Sequence, residues 1–368
     1  MGLEPLAGGN APRLVRPGAP RLQRSGGVRA RTDGGTFDET RAERWRRRAI
    51  TGPALLALTP AYLALSPALI AGAAGSDLAR RRPWTATRFT AALGSNLVLH
   101  TAAFAGMAGA WLLGGRWAGA GPERERRLEE RLQVEWARAS WWVATRLYSM
   151  QLAVDGDDCI EPGPVLVLVR HASLLDSLLP SIILSARHGM RLRYVAKREL
   201  LWDPFVDALG HRWPTAFVRR GTGDPRETAR VLGLLDGLGE RDGIVLFPEG
   251  TRFSEEKRTQ VLASLRRTHP EAYQRAARLR YVLPPRPSGP LALLAHAPAL
   301  DVVFCAHTGL EGASHFGDLL AGSLLGRTVR VHLWRVRHAD IPSGRDAQLT
   351  WLHEEWEQVD RWISEHRQ

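Results

Sequence analysis

Two stretches without a single charged side chain, residues 49–76 and 89–115, constrain this chain more than any other feature. Each exceeds the ~20 residues that cross a bilayer as a helix, and a buried helix of a water-soluble protein rarely stays uncharged for so long. The sequence therefore predicts a membrane hairpin over 49–116. Pro53, Pro60 and Pro67 recur every seven residues in the first run, so that helix is expected to kink. The second run is rich in small residues, including Gly106, Ala108, Gly109 and Ala110, which let helices approach closely. Arginines flank both runs on every side: Arg46, Arg47 and Arg48, then Arg80, Arg81 and Arg82, then Arg116. Loop charge therefore does not orient the hairpin. Spanning the bilayer and dipping into one leaflet are both compatible with the pattern, and the second explains the basic linker better.

The 368-residue chain has a net charge of +12, nearly all of it from arginine; Lys197 and Lys257 are the only lysines. Such a balance favours phosphate-bearing partners: nucleic acid, anionic lipid or a nucleotide-bearing carrier. Residues 1–48 hold 11 arginines against 5 acidic residues and show no hydrophobic period, so a disordered basic tail is expected there. It lacks interleaved aromatics for stacking on bases, which argues against a nucleic-acid partner. No apolar stretch near Met1 has the form of a secretory signal. Cys159 and Cys305, the only cysteines, build neither a disulfide framework nor a cysteine metal site. Over 117–150 a linker helix is expected; its Trp136, Trp141, Trp142 and Tyr148 suit either the headgroup level or a soluble core.

From residue 151 onward short β-prone runs alternate with helical patterns. The runs are Val165–Val169, Arg193–Val195, Ala216–Val218, Gly243–Phe247, Val302–Cys305 and Val329–Trp334. Helices are expected over Asp176–His188, Arg226–Leu238, Glu255–Leu279 and Asp346–His366. This alternation predicts an α/β domain over 151–368, with a mostly parallel or mixed sheet flanked by helices.

Polar residues gather where these strands end. Val165–Val169 runs into Arg170 and His171, and Asp176 follows five residues after the histidine. On a regular helix that spacing puts two side chains roughly 140° apart; with His171 in a loop and Asp176 in the first turn after it, the carboxylate can fold back onto the imidazole. Such a pair fixes the tautomer and lets the other nitrogen take a proton from a hydroxyl. No G-x-S-x-G elbow occurs, so the hydroxyl is expected to be the substrate's own. A second strand ends in Phe247-Pro-Glu-Gly-Thr-Arg252, a turn able to offer N–H groups and an arginine to phosphate. A third ends in Phe217-Val-Arg-Arg220. His296, His307 and His315 have no partner pattern and are read as structural or surface residues.

Taken together, these segments resemble the glycerolipid acyltransferases, the family that includes the 1-acylglycerol-3-phosphate acyltransferases. His171 to Asp176 is similar to its His-x-x-x-x-Asp box, Phe217–Arg220 to its second box, Phe247–Arg252 to its third, and Val282-Leu-Pro284 to its fourth. Tyr194-Val-Ala-Lys-Arg-Glu-Leu200 and Leu349-Thr-Trp-Leu-His-Glu-Glu-Trp356 are further echoes, the latter of the branch that acylates lysophospholipids. Arg170 stands where the family often has Asn, and Pro214 where the second box usually has Gly. The resemblance implies that His171 is the general base and Asp176 orients it. Arg220, Glu249, Gly250, Thr251, Arg252 and Pro284 would bind the acceptor. The donor would be acyl-CoA or acyl carrier protein, with no metal or further cofactor, and the acceptor a membrane lysophospholipid. Two rivals use the same residues differently: a hydrolase turns the dyad on water, and a lipid-binding protein that kept the fold needs neither residue.

Overall fold

In a computed structural model, residues 39–112, 122–219, 224–297 and 299–367 are described. Helix α1 spans Arg41–Ala79 and α2 spans Thr85–Trp111. The N-terminus of α1 is a capping box: Thr40 Oγ1 accepts from the Glu43 amide at 3.2 Å, and the Glu43 carboxylate accepts from the Thr40 amide at 2.8 Å. Residues 41–48 are thus helical, which corrects the expectation of a tail extending to residue 48. The helix also continues through Pro53, Pro60 and Pro67. A seven-residue spacing returns to nearly the same face, so the carbonyls freed by the prolines lie along one stripe.

Asp77 closes the turn between the helices. It is fully buried and accepts from the Ala86 and Thr87 amides at 3.1 and 2.9 Å, satisfying N–H groups that open α2. Thr59 Oγ1 lies 2.7 Å from Thr101 Oγ1 across the pair. At Gly94 a Cβ would strike the Tyr62 ring, so glycine is what permits that helix contact.

Helix α3, Pro122–Tyr148, packs inward through Ala137, Trp141 and Tyr148, while Trp142 is 60% exposed. A seven-stranded sheet follows: β1 Gln151–Asp155, β2 Val165–Val169, β3 Arg191–Lys197, β4 Thr215–Val218, β5 Asp242–Leu246, β6 Asp301–Thr308 and β7 Thr328–Val336. The strand order is β1-β7-β6-β2-β5-β3-β4. Neighbours are parallel except β6 and β7, so the sheet is mixed. All five residues of β2 are buried. Val165, Val167 and Val169 face the layer built with α3, whereas Leu166 and Leu168 face the opposite one. Period-two alternation with helices on both faces explains why a central strand reads as an unbroken apolar run.

The remaining helices are α4 Pro204–Gly210, α5 Pro225–Leu232, α6 Glu255–Thr268, α7 Pro270–Arg278, α8 Ser288–His296, α9 Phe316–Ala321 and α10 Arg345–His366. Pro270 splits the single helix expected over Glu255–Leu279, because proline starts a helix more readily than it continues one. The helix expected over Asp176–His188 is instead a 3-10 turn at Asp176–Leu178 followed by one π-helical turn at Ser181–Ser185.

Both apolar helices are fastened to α4. Asp207 accepts from Arg47 at 2.7 Å and Arg48 at 2.6 Å, while Asp203 lies 2.6 Å from His100 Nδ1 of α2. Asp203 also caps α4 through the Phe205 and Val206 amides. At its other end α2 abuts the domain again, with Thr85 against Gly322 and Arg88 bonded to the Leu147 carbonyl.

Candidate active site

The site lies at the carboxyl ends of β2 and β5, where loops leave neighbouring parallel strands. His171 follows β2 in the loop, and Asp176 opens the 3-10 turn beyond it. His171 Nδ1 lies 3.1 Å from each carboxylate oxygen of Asp176. The same carboxylate accepts the Ala172 amide at 2.6 Å and the Ser173 amide at 2.7 Å. Asp176 is fully buried, and burial opposes its ionisation; the His171 imidazole and the Ser173 N–H outweigh that and hold it below the ordinary carboxylate range. Its charge thus has donors on every side. With Nδ1 turned to the carboxylate, Nε2 is the nitrogen left to accept a proton. The His171 ring packs against Phe247 at 4.5 Å between centroids, which restrains its rotation.

Glu249 ties three segments together. One oxygen accepts the His171 amide at 2.6 Å and the other the Leu283 amide at 2.8 Å. It is 2% exposed. Both oxygens are therefore engaged by backbone, and the side chain shapes the site rather than facing a ligand, unlike the acceptor-binding role that the resemblance implies. Desolvation pushes its carboxyl up to about 8, although the two N–H donors and Arg170 pull the other way. The Phe253 amide donates to the His171 carbonyl at 2.7 Å, and the Arg286 amide to the Pro248 carbonyl at 2.8 Å. Gly250 adopts φ +72°, and a Cβ there would press on the Arg286 side chain, so the turn requires glycine.

Thr251 Oγ1 and the Arg252 carbonyl both accept from Lys257 Nζ at 3.1 Å. Arg252 Nη1 is shielded from solvent and lacks a protein partner among the described residues; such a donor suits an anionic oxygen. Pro284 is half-buried beside Leu283. The segment before it hangs from α10: Asp360 accepts the Arg280, Tyr281 and Val282 amides at 2.6–3.2 Å, and Trp356 Nε1 donates to the Leu283 carbonyl at 3.0 Å. Arg220 lies outside the described residues, and Arg219 before it is exposed.

The sequence reading gave no site role to three residues beside the dyad. His307 and Arg170 are buried behind it with the partly exposed Glu311, and His307 Nε2 lies 3.8 Å from Asp176 Oδ2. The signal available was position: His307 is the penultimate residue of β6, the strand paired in parallel with β2, at the same carboxyl edge as His171.

Residues 151–289 match the model of the Acyltransferase family. Among curated proteins, the chain is similar to 1-acyl-sn-glycerol-3-phosphate acyltransferase epsilon of Mus musculus, 24% identical over 251 residues, which cover 65% of this chain and 68% of the relative. Among solved structures it is similar to the 1-acyl-sn-glycerophosphate (LPA) acyltransferase PlsC from Thermotoga maritima, with a TM-score of 0.45 and 13% identity over 73% of this chain and 97% of that one.

Glu249 generates a pH test. Its folded carboxyl sits at about 8 against an ordinary 4.5, so between those values the folded chain holds a proton that the unfolded chain has released. The stability this contributes is complete below 4.5 and is lost as pH rises through 8. Glu249→Gln removes that slope and leaves one N–H facing an amide nitrogen, at a cost of about 1–3 kcal/mol. Thermal unfolding across that pH range should fall more steeply for the natural protein than for the variant. Parallel curves would rule this assignment out.

Proposed function

Because the chain carries a domain of the glycerolipid acyltransferase family and is an O-acyltransferase, we propose that it transfers a fatty acyl group from acyl-CoA or acyl carrier protein to the free hydroxyl of a lysophospholipid, 1-acyl-glycerol-3-phosphate foremost. The observation that carries this reading is the His171–Asp176 contact, two 3.1 Å approaches at the mouth of parallel strands. His171 Nε2 takes the hydroxyl proton as the oxygen attacks the thioester carbonyl. The carbon–sulfur bond then breaks, and the leaving thiolate recovers the proton from the imidazolium. Asp176 stabilises that imidazolium and fixes its tautomer. The unpartnered Arg252 Nη1 meets the acceptor phosphate; Arg220, outside the described residues, is proposed to join it. The name of the mouse relative supports the same acceptor.

The test supplies labelled acyl-CoA to purified protein with and without lysophosphatidic acid. Label is expected in phospholipid only when acceptor is present; equal release of free fatty acid in both arms would instead establish hydrolysis. His171→Ala should lose at least ~10²-fold in kcat, the usual contribution of a general base, and Asp176→Asn should be severely impaired while still folding. Near-natural turnover by either variant would end the dyad assignment. Arg252→Ala is expected to raise the KM for lysophosphatidic acid by at least ~10-fold with a smaller change in kcat, since a charge-assisted bond contributes about 1.5–3 kcal/mol. An unchanged acceptor KM would remove Arg252 from the phosphate site.

We also propose that the protein enters the membrane from one leaflet, with its active site on the cytoplasmic face. Support comes from α2, which touches the domain along its length: Thr85 at α9, Phe89 and Ala92 on the central core, His100 at Asp203, and Ala103 and Met107 beside Phe205. A helix so bound to a water-facing domain supports entry from one leaflet over a crossing. Helix α1 exposes Leu56, Leu58, Leu63, Leu65, Leu69 and Ile70, an apolar face suited to acyl chains. A cysteine placed at Arg81 should then react with an impermeant thiol reagent from the same side of sealed vesicles as one placed at Arg278. Labelling from opposite sides would require a spanning hairpin.

A further inference from the structure

Arg170 stands directly before His171 and is fully buried. A guanidinium in such a place is costly to desolvate unless its donors and charge are matched. Its Nη1 donates to the His307 carbonyl at 2.6 Å and pairs with Glu311, and its Nη2 donates to the Tyr281 carbonyl at 2.9 Å. Glu311 in turn accepts the Gly309 amide at 2.6 Å. The backbone of Arg170 completes a second grip: its carbonyl lies 3.0 Å from His307 Nε2. A carbonyl only accepts, so His307 carries its proton on Nε2. Its Nδ1 is buried without a partner among the described residues.

Two imidazoles therefore flank one carboxylate. His171 approaches Asp176 at 3.1 Å through Nδ1, and His307 stands 3.8 Å away. A charged His307 would compete for the same negative charge. Asp176 would then stabilise a second imidazolium on His171 less well, because the charges would repel across a poorly screened interior. We propose that Arg170, with Glu311 as its counter-ion, is the positioning residue that keeps His307 neutral and so reserves Asp176 for His171. This rests on the dyad reading above.

The electrostatics agree. Burial first, and then the Arg170 charge, drive the His307 imidazole down to about 4, against the pull of Asp176 and Glu311. Burial would raise the Glu311 carboxyl, but Arg170 overcomes it and brings it to about 2. Glu311 is thus ionised at neutral pH beside the guanidinium, while the neighbouring histidine is not. The groups facing His307 come from every side of its surroundings: Arg170 from the end of β2, Asp176 from the following turn and Glu311 from the loop after β6.

The test uses full-length protein in detergent with ¹⁵N-labelled histidine, the His307 signal being assigned by its loss in His307→Gln. In the natural protein His307 should remain neutral, as the Nε2–H tautomer, from about pH 8 to about pH 5. In Arg170→Gln it should titrate within that window. There kcat should fall by about 10- to 100-fold, the scale of a misplaced catalytic group, with the acceptor KM nearly unchanged. Adding His307→Gln to Arg170→Gln should restore about 10-fold of the loss, because a side chain that cannot be protonated no longer competes. A purely structural arginine predicts no such rescue. His307 titrating near its ordinary value in the natural protein, or a double variant no better than the single one, would overturn the proposal. The first of these readings needs no arginine variant and survives if Arg170→Gln does not fold. It is also independent of turnover, so a failed dyad assignment, revealed by an active Asp176→Asn, stays distinct from a failed role for Arg170.

Discussion

Where parallel strands stop, the loops that follow expose amides with no strand left to accept them. In this protein buried acidic side chains take up that demand. After the strands, Asp176 accepts the amides of Ala172 and Ser173, Glu249 that of His171 and the partly exposed Glu311 that of Gly309; in the segment between α7 and α8, Glu249 accepts the Leu283 amide and Asp360 those of Arg280, Tyr281 and Val282. Buried backbone groups must be paired, and a carboxylate with two oxygens can pair amides from segments far apart in the chain. Glu249 does so across 34 residues and Asp360 across 78 to 80. The site thus holds its shape through acidic side chains gripping backbone rather than through side-chain packing alone.

That arrangement sets what the sequence could disclose. All six predicted β-runs overlap their strands, and Val165–Val169 coincides with β2, because buried strands announce themselves as apolar runs. Strand β1 did not, since Gln151–Asp155 is an edge strand with alternating exposed residues. The short helices α4, α8 and α9 carry too few turns for a periodicity to register. Residues on each side of the dyad were legible from strand ends and polar turns. What local spacing could not show was which loop a carboxylate would grip: Glu249 reads as a ligand-facing residue in its turn, and only the fold turns it inward. His307 was missed for the same reason. It lies 131 residues beyond Asp176, near the end of a strand whose middle, Val302–Ala306, is apolar.

Helix α4 links the membrane-facing part to the site. Its Asp203 and Asp207, four residues apart and so on one face, hold α2 and α1 respectively. From α4 the chain passes directly into β4, and Gly210 at the helix end lies so close to Phe217 that a Cβ would collide with the ring. Strand β4 then ends at the arginines of the second box. Short, ion-paired and close-packed connections transmit displacement poorly damped, since packed interiors deform little. The hairpin and the end of β4, just before Arg219, are accordingly joined through one seven-residue helix.

Arginine's dominance of the positive charge also bears on the site. Surface arginines contribute solubility and attraction for phosphate, but Arg170 and Arg193 are buried and use their forks to bind carbonyls. Arg193 donates to the Leu234, Asp236 and Gly237 carbonyls and pairs with Asp242, and Arg170 to those of His307 and Tyr281. A planar guanidinium can bridge several carbonyls at once, which a lysine with a single nitrogen does less well. The acidic side chains collect orphan amides and the buried arginines collect orphan carbonyls at the same sheet. One consequence is that removing either partner of a pair such as Arg170–Glu311 exposes more than one charge: the carbonyls it held also lose their donor.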